Sequence, residues 1–194
     1  MSYHTNLFVF AFFCASDLQI SAFCRTFEAL LFIFMKRTIF CFVMILYALG
    51  MAAELPSVTL RDTDGKYVCV ASLAQTGKPV IITFFATWCK PCMRELKAID
   101  DLYDEWQEQT GVEVYAVSTD QGQDIQKVKP LADGYGWRYH VLLDPNGELK
   151  RAMNVQTIPH LFIIDIQGNV VYNHAGYTDG DEQKVGMLIM KEHK

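Results

Sequence analysis

The feature that most constrains this chain is a short apolar run, then two cysteines two residues apart, then an amphipathic stretch. The run is Val80-Ile81-Ile82-Thr83-Phe84-Phe85, β-branched and aromatic, and it predicts a buried strand. Downstream, Cys92, Leu96, Ile99, Tyr103 and Trp106 recur at helical spacing, with Asp100, Asp101, Asp104, Glu105 and Glu108 between them. That pattern predicts a helix from about Lys90 to Gln109 with one buried and one acidic face, stopped by Gly111. Trp88-Cys89-Lys90-Pro91-Cys92 therefore falls where a strand turns into a helix N-terminus. Only a thiolate attacks a disulfide. The unpaired N–H groups and positive dipole end of a first helical turn favour that form. Cys89, at the entrance, is expected to be the exposed nucleophile, helped by the charge of Lys90. Cys92, one turn further in, is expected to resolve a mixed disulfide on Cys89. Pro91 suits the first turn, where a missing N–H costs nothing.

A Cys-x-x-Cys pair can also be half of a zinc site, which needs a second pair of ligands at similar spacing. The remaining cysteines, Cys14, Cys24, Cys41 and Cys69, are isolated in sequence. The strand–Cys-x-x-Cys–helix context thus favours redox chemistry over zinc. Phe85-Ala86-Thr87-Trp88-Cys89-Lys90-Pro91-Cys92 resembles the active site of the thioredoxin superfamily, specifically the TlpA/ResA-like extracytoplasmic thiol–disulfide oxidoreductases.

The rest of the domain is consistent with that resemblance. Val58–Leu60 and Tyr67–Val70 read as a hairpin turned by Asp64-Gly65, with Cys69 a packed, reduced strand residue. Val112–Ser118 and Tyr139–Leu143 read as strands, separated by helical spacing over Asp124–Ala132. Asp144-Pro145-Asn146-Gly147 reads as a turn before a short helix through Met153. Leu161–Ile166 and Val170–Tyr172 flank Gln167-Gly168-Asn169 as a second hairpin, and Thr178 with Asp181 offers an N-cap for a last helix carrying Val185, Leu188 and Ile189. Strands alternating with helices and ending in a hairpin give an α/β fold, a mixed central sheet flanked by helices. The resemblance, which spans residues 56–190, implies a thioredoxin fold with an N-terminal β-hairpin and an extra strand–helix insertion.

The resemblance also implies the second half of a site. In the superfamily a proline like Pro159 is cis and packs beside the cysteines, and the residue before it, here Ile158, offers its backbone to an extended substrate. The alternative is a proline that only opens a strand. Trp88, Lys90 and Pro91 join Ile158 and Pro159 as expected substrate contacts. Thioredoxins keep a buried Asp six residues before the first cysteine, but Thr83 stands there and cannot serve as a proton acceptor. ResA-like members carry a Glu three residues after the second cysteine, and Glu95 matches. It is either the acid/base partner of Cys92 or a surface carboxylate favoured by the helix dipole. His160 is either a packed strand residue or, with Cys89 and Cys92, a copper ligand. Peroxiredoxins share the scaffold but need a Thr three residues before the reactive cysteine, where this chain has Ala86. No cofactor is implied. The implied partners are protein disulfide substrates, apocytochrome c among them (a role in cytochrome c biogenesis), and a membrane thiol-transfer protein as electron donor.

The chain has 194 residues with a net charge of −5, and an acidic domain without a basic patch argues against nucleic-acid binding. Charge is sparse at the front: residues 1–53 hold only Asp17, Arg25, Glu28, Lys36 and Arg37. Met35-Lys36-Arg37, the apolar run Ile39–Leu49 and the small residues Gly50, Ala52 and Ala53 have the layout of a secretory signal peptide. We therefore expect translation from Met35, an upstream extension over 1–34, a signal peptide at 35–53 and a thioredoxin-like domain at 54–194. An uncleaved anchor at 38–53 is the alternative and the only expected route to a membrane. Both readings put the domain outside the cytoplasm, in the bacterial periplasm.

Overall fold

The computed structural model describes residues 36, 37, 39, 40 and 55–192. The expected upstream extension and the signal peptide or anchor lie outside the described residues, apart from Lys36, Arg37, Ile39 and Phe40, which are helical. Among the described residues no helix is long and apolar enough to cross a membrane. The sheet and the cysteine pair belong to one compact unit over 52–194.

Seven strands form one sheet: β1 (Thr59–Asp62), β2 (Tyr67–Cys69), β3 (Val80–Phe85), β4 (Glu113–Ser118), β5 (His140–Leu143), β6 (His160–Ile164) and β7 (Val170–Ala175), in the order β2-β1-β5-β4-β3-β6-β7. The centre, β5-β4-β3, is parallel, and antiparallel strands close it on both sides. The helices are α1 (Val70–Leu73), α2 (Lys90–Thr110), α3 (Val128–Tyr135), α4 (Glu148–Ala152) and α5 (Asp181–Glu192). This is the expected mixed sheet with helices on both faces.

Strand alternation decides which side chain meets which layer. All of β3 is buried, as a central strand covered on both faces should be. Ile81 and Phe85 pack with Leu96, Ile99, Tyr103 and Trp106 of α2 and with Val185 and Ile189 of α5. Val80, Ile82 and Phe84 pack on the opposite face with Val70, Leu73 and Leu149. Thr83 shares the parity of Ile81 and Phe85, so it faces α2. Gly186 lets α5 lie close on α2: a Cβ there would stand 2.8 Å from Trp106 Nε1. Gly111 ends α2 in the left-handed region at φ 69°, its N–H donating to the Gln107 carbonyl.

Three local expectations shift. Val70, expected to end a strand, begins the helical turn α1, where the Ser72 hydroxyl donates to the Cys69 carbonyl at 2.7 Å. The helical spacing over Asp124–Ala132 resolves into a 3₁₀ turn (Asp124–Lys127) followed by α3. At the start of α5 the Asp181 carboxylate accepts from the Thr178 backbone N–H at 2.8 Å, the reciprocal half of a capping box.

Candidate active site

β3 ends at Phe85, and the chain turns once before α2. Cys89 is the N-cap of α2, with φ −85° and ψ 99°, and Pro91 lies in the first turn. The Cys89 backbone N–H donates to the Ala86 carbonyl at 3.0 Å, which closes the turn. Cys89 and Cys92 form a disulfide with Cα atoms 5.3 Å apart. The Cys92 N–H points at Cys89 Sγ, 3.3 Å away, so the sulfur occupies the place a capping oxygen usually takes. A thiolate at Cys89 would accept that N–H and feel the helix dipole.

The expectation of an exposed Cys89 needs correction. Cys89 is 5% exposed and Cys92 0%. The N-cap geometry folds Sγ back over the first turn, and the surrounding apolar residues close over it. Cys89 is still the more accessible of the two.

On the far side of β3, β6 runs antiparallel with His160 opposite Phe84. Pro159 therefore precedes β6 at the end of the sheet where the cysteines emerge. The Ile158–Pro159 peptide is cis, Pro159 is buried and Ile158 half-buried. Trp88 is 70% exposed, so it is not a packing residue. It lines a cleft of about 560 Å³ together with Ile158. Lys90 and Pro91 are exposed in the first turn of α2. The structure thus brings together at the end of the sheet most of the residues singled out from sequence.

Glu95 follows Cys92 by one turn on the buried face of α2 and is 4% exposed. It is not a surface carboxylate. Burial pushes its carboxyl up to about 7, with a smaller upward push from Asp181; a hydrogen bond from Thr83 opposes both. That bond, Thr83 Oγ1 donating to Glu95 Oε2, is 2.6 Å long. Thr83, unable to take a proton itself, is instead the group that orients the carboxylate. The signal in the sequence is the parity of β3, which aims Thr83 at α2.

A second polar cluster has no sequence signature. Asp120 is 2% exposed. It accepts from the Thr87 N–H at 2.9 Å, the Thr87 hydroxyl at 2.8 Å and the Ser118 hydroxyl at 2.8 Å. It thereby ties the turn before Cys89 to the end of β4. His160 stacks on Phe162 at 4.6 Å, and burial lowers its pKa. Among the described residues no three His, Cys, Asp or Glu side chains converge as a metal site, and His160 is not gathered with the cysteines into one. Ala86, three residues before Cys89, is fully buried and offers no hydroxyl.

A model of the AhpC/TSA family matches residues 51–173. The chain belongs to this family. It is 35% identical over 135 residues to the thiol-disulfide oxidoreductase ResA of Bacillus anthracis, covering 70% of this chain and 75% of that protein. The solution structure of an uncharacterized thioredoxin-like protein from Porphyromonas gingivalis is 56% identical, with a TM-score of 0.64, covering 73% of this chain and 93% of that one. A thiol:disulfide interchange protein of the thioredoxin family from Chlorobium tepidum TLS is 26% identical, with a TM-score of 0.63, covering 75% and 99%. The protein is a thioredoxin-like thiol–disulfide oxidoreductase of the ResA-like kind.

Proposed function

We propose that this oxidoreductase works outside the cytoplasm as a reductant of disulfides in exported proteins, with Cys89 as nucleophile and Cys92 as resolving thiol. The Cys89 thiolate attacks one sulfur of a substrate disulfide; a new S–S bond forms and the first substrate thiolate leaves. Cys92 gives its proton to the Glu95 carboxylate, and its thiolate attacks Cys89 Sγ. The second substrate thiolate leaves, and the Cys89–Cys92 disulfide is restored. Two electrons have passed from the dithiol to the substrate. A membrane thiol-transfer protein returns them by the same exchange in reverse. Apocytochrome c is a fitting client, since its cysteines must be reduced before haem attachment.

The observation that carries this reading is the pairing of Cys92 with a buried carboxyl whose pKa is about 7, one turn away. Such a group can take the Cys92 proton and release it again near neutral pH. Trp88, Lys90, Pro91, Ile158 and Pro159 form the docking edge, where an extended substrate would pair with the backbone at Ile158. The placement outside the cytoplasm rests on the leader-like layout from Met35. The test is the reduction potential of the Cys89/Cys92 pair, equilibrated in thiol redox buffers. A value near that of thioredoxin, about −270 mV, supports a reductant. One nearer about −120 mV makes the protein an oxidant and overturns the proposed direction.

A further inference from the structure

The cleft beside Trp88 does not stop at the docking edge. Beyond Ile158 its wall passes to Gln121, Gln156 and Lys150. The same three residues line a second cleft of about 490 Å³, which continues to Arg151 and Asn154. The two depressions therefore form one groove leading away from the cysteines, with Lys150 at their junction. Its wall is rich in amides and contains both hydrogen-bond donors and acceptors, as an extended polypeptide backbone requires.

The charges along it are unequal. Asp120 is buried and accepts only from the neutral groups of Thr87 and Ser118, so its negative charge stays in the cleft beside Trp88. Asp124 is held by Lys127 at 2.6 Å. Arg151 donates to the Asn146 carbonyl at 2.6 Å, which leaves its positive charge unneutralised. Lys150 is half-buried, and its ammonium has no carboxylate or hydrogen-bond partner among the described residues. A cation with no partner of its own is available to pair with an incoming carboxylate. The second cleft, lined by Lys150 and Arg151 and by no carboxylate, is a local positive site on a chain whose net charge is −5. Screening over about 8 Å at physiological salt lets such a site act independently of the wider acidic surface.

We propose that this groove binds the segment of a substrate that flanks its reactive cysteine, and that Lys150, backed by Arg151, selects substrates with an acidic side chain there. The inference rests on the proposed docking of substrate at Trp88 and Ile158, and it adds the chemical class of the polypeptide: an extended, acidic one. Lys150 acts as a specificity residue, remote from the sulfur chemistry.

The test uses the purified full chain and disulfide-bonded peptides that differ at one position. Glu, Gln or Lys is placed in turn at each of the four positions on either side of the cysteine. The readout is the ratio of exchange rates for the Glu and Lys peptides, taken within each variant, so that a general loss of activity cancels. At one or two positions the unsubstituted protein should favour Glu over Lys by about five- to tenfold, the scale of a rim charge pair changed from attraction to repulsion. Lys150→Gln should bring the ratio towards one, and Lys150→Glu should invert it. Lys66→Glu makes the same change in net charge at the hairpin turn and should keep the original ratio. The proposal fails if Lys150→Glu leaves the ratio unchanged at every position, or if Lys66→Glu shifts it equally. The ratio can be read in either direction of exchange, with reduced protein and peptide disulfides or oxidised protein and peptide dithiols. A redox direction opposite to the one proposed is thus a separate result and leaves this test standing.

Discussion

Replacing Glu95 by Gln removes one ionisable group and keeps an oxygen that can accept from Thr83. Its effect should appear first as a pH dependence of stability. The wild-type carboxyl has a folded-state pKa of about 7 against an ordinary value of 4.5, because burial disfavours the charge. Between those values the folded chain holds a proton that the unfolded chain has released, so stability falls as pH rises. The loss starts above about pH 4.5, is complete above about pH 7, and amounts to about 3 kcal/mol at roughly 1.4 kcal/mol per pH unit. Gln does not ionise and carries no such loss. Urea unfolding of the oxidised proteins at pH 4.5 and pH 8.5 should therefore show Glu95→Gln gaining about 3 kcal/mol on the wild type between the two conditions. Titrations shared by both proteins cancel in the difference. A difference that stays constant with pH would refute the buried, proton-holding carboxyl, and with it the proposed acceptor for Cys92.

Thr83→Val removes the hydrogen bond that favours the Glu95 carboxylate. The midpoint of the same pH dependence should move upward by about one pH unit, and an unmoved midpoint would remove Thr83 from the site's electrostatics. Asp120→Ala strips three donors of their buried acceptor. It should cost about 2–4 kcal/mol by chemical denaturation; a cost below about 0.5 kcal/mol would mean the turn before Cys89 holds its shape unaided. Trp88→Ala, at a side chain 70% exposed, should change stability by less than about 0.5 kcal/mol. It should nevertheless slow exchange with a protein disulfide about tenfold, the scale of one contact worth about 1.4 kcal/mol; equal rates would take Trp88 out of the docking edge.

The parts of this molecule that can be read from sequence are those with a local pattern. The apolar run of β3, the helical spacing from Cys92 to Trp106, the left-handed stop at Gly111 and the hairpin turn at Asp64-Gly65 each declare themselves within a few residues. Glu95 is legible only as an offset from Cys92. Its burial depends on β3 and α5 closing over it, which the helix pattern alone does not report. Thr83 is misleading in sequence, because it fails as an acid and its value lies in donating a hydrogen bond. Asp120 and Thr87 meet across 33 positions of sequence, a pairing made by the adjacency of β3 and β4 and invisible to any window. Lys150 is an ordinary lysine in a short helix until the fold sets it at the junction of two clefts. Val70 illustrates the converse: its β-branched character suggests a strand, yet it begins a four-residue helical turn in which the Ser72 hydroxyl donates to the Cys69 carbonyl.

The central claim is that Cys89 makes the first bond to substrate and Cys92 resolves it. The most direct test is to mix reduced Cys92→Ser with a disulfide-bonded protein substrate and identify the adduct by mass spectrometry, with Cys89→Ser treated in parallel. A stable mixed disulfide mapped to Cys89 is expected in the first variant, and little or none in the second. An adduct that forms through Cys92 in Cys89→Ser, with none in Cys92→Ser, would contradict the claim.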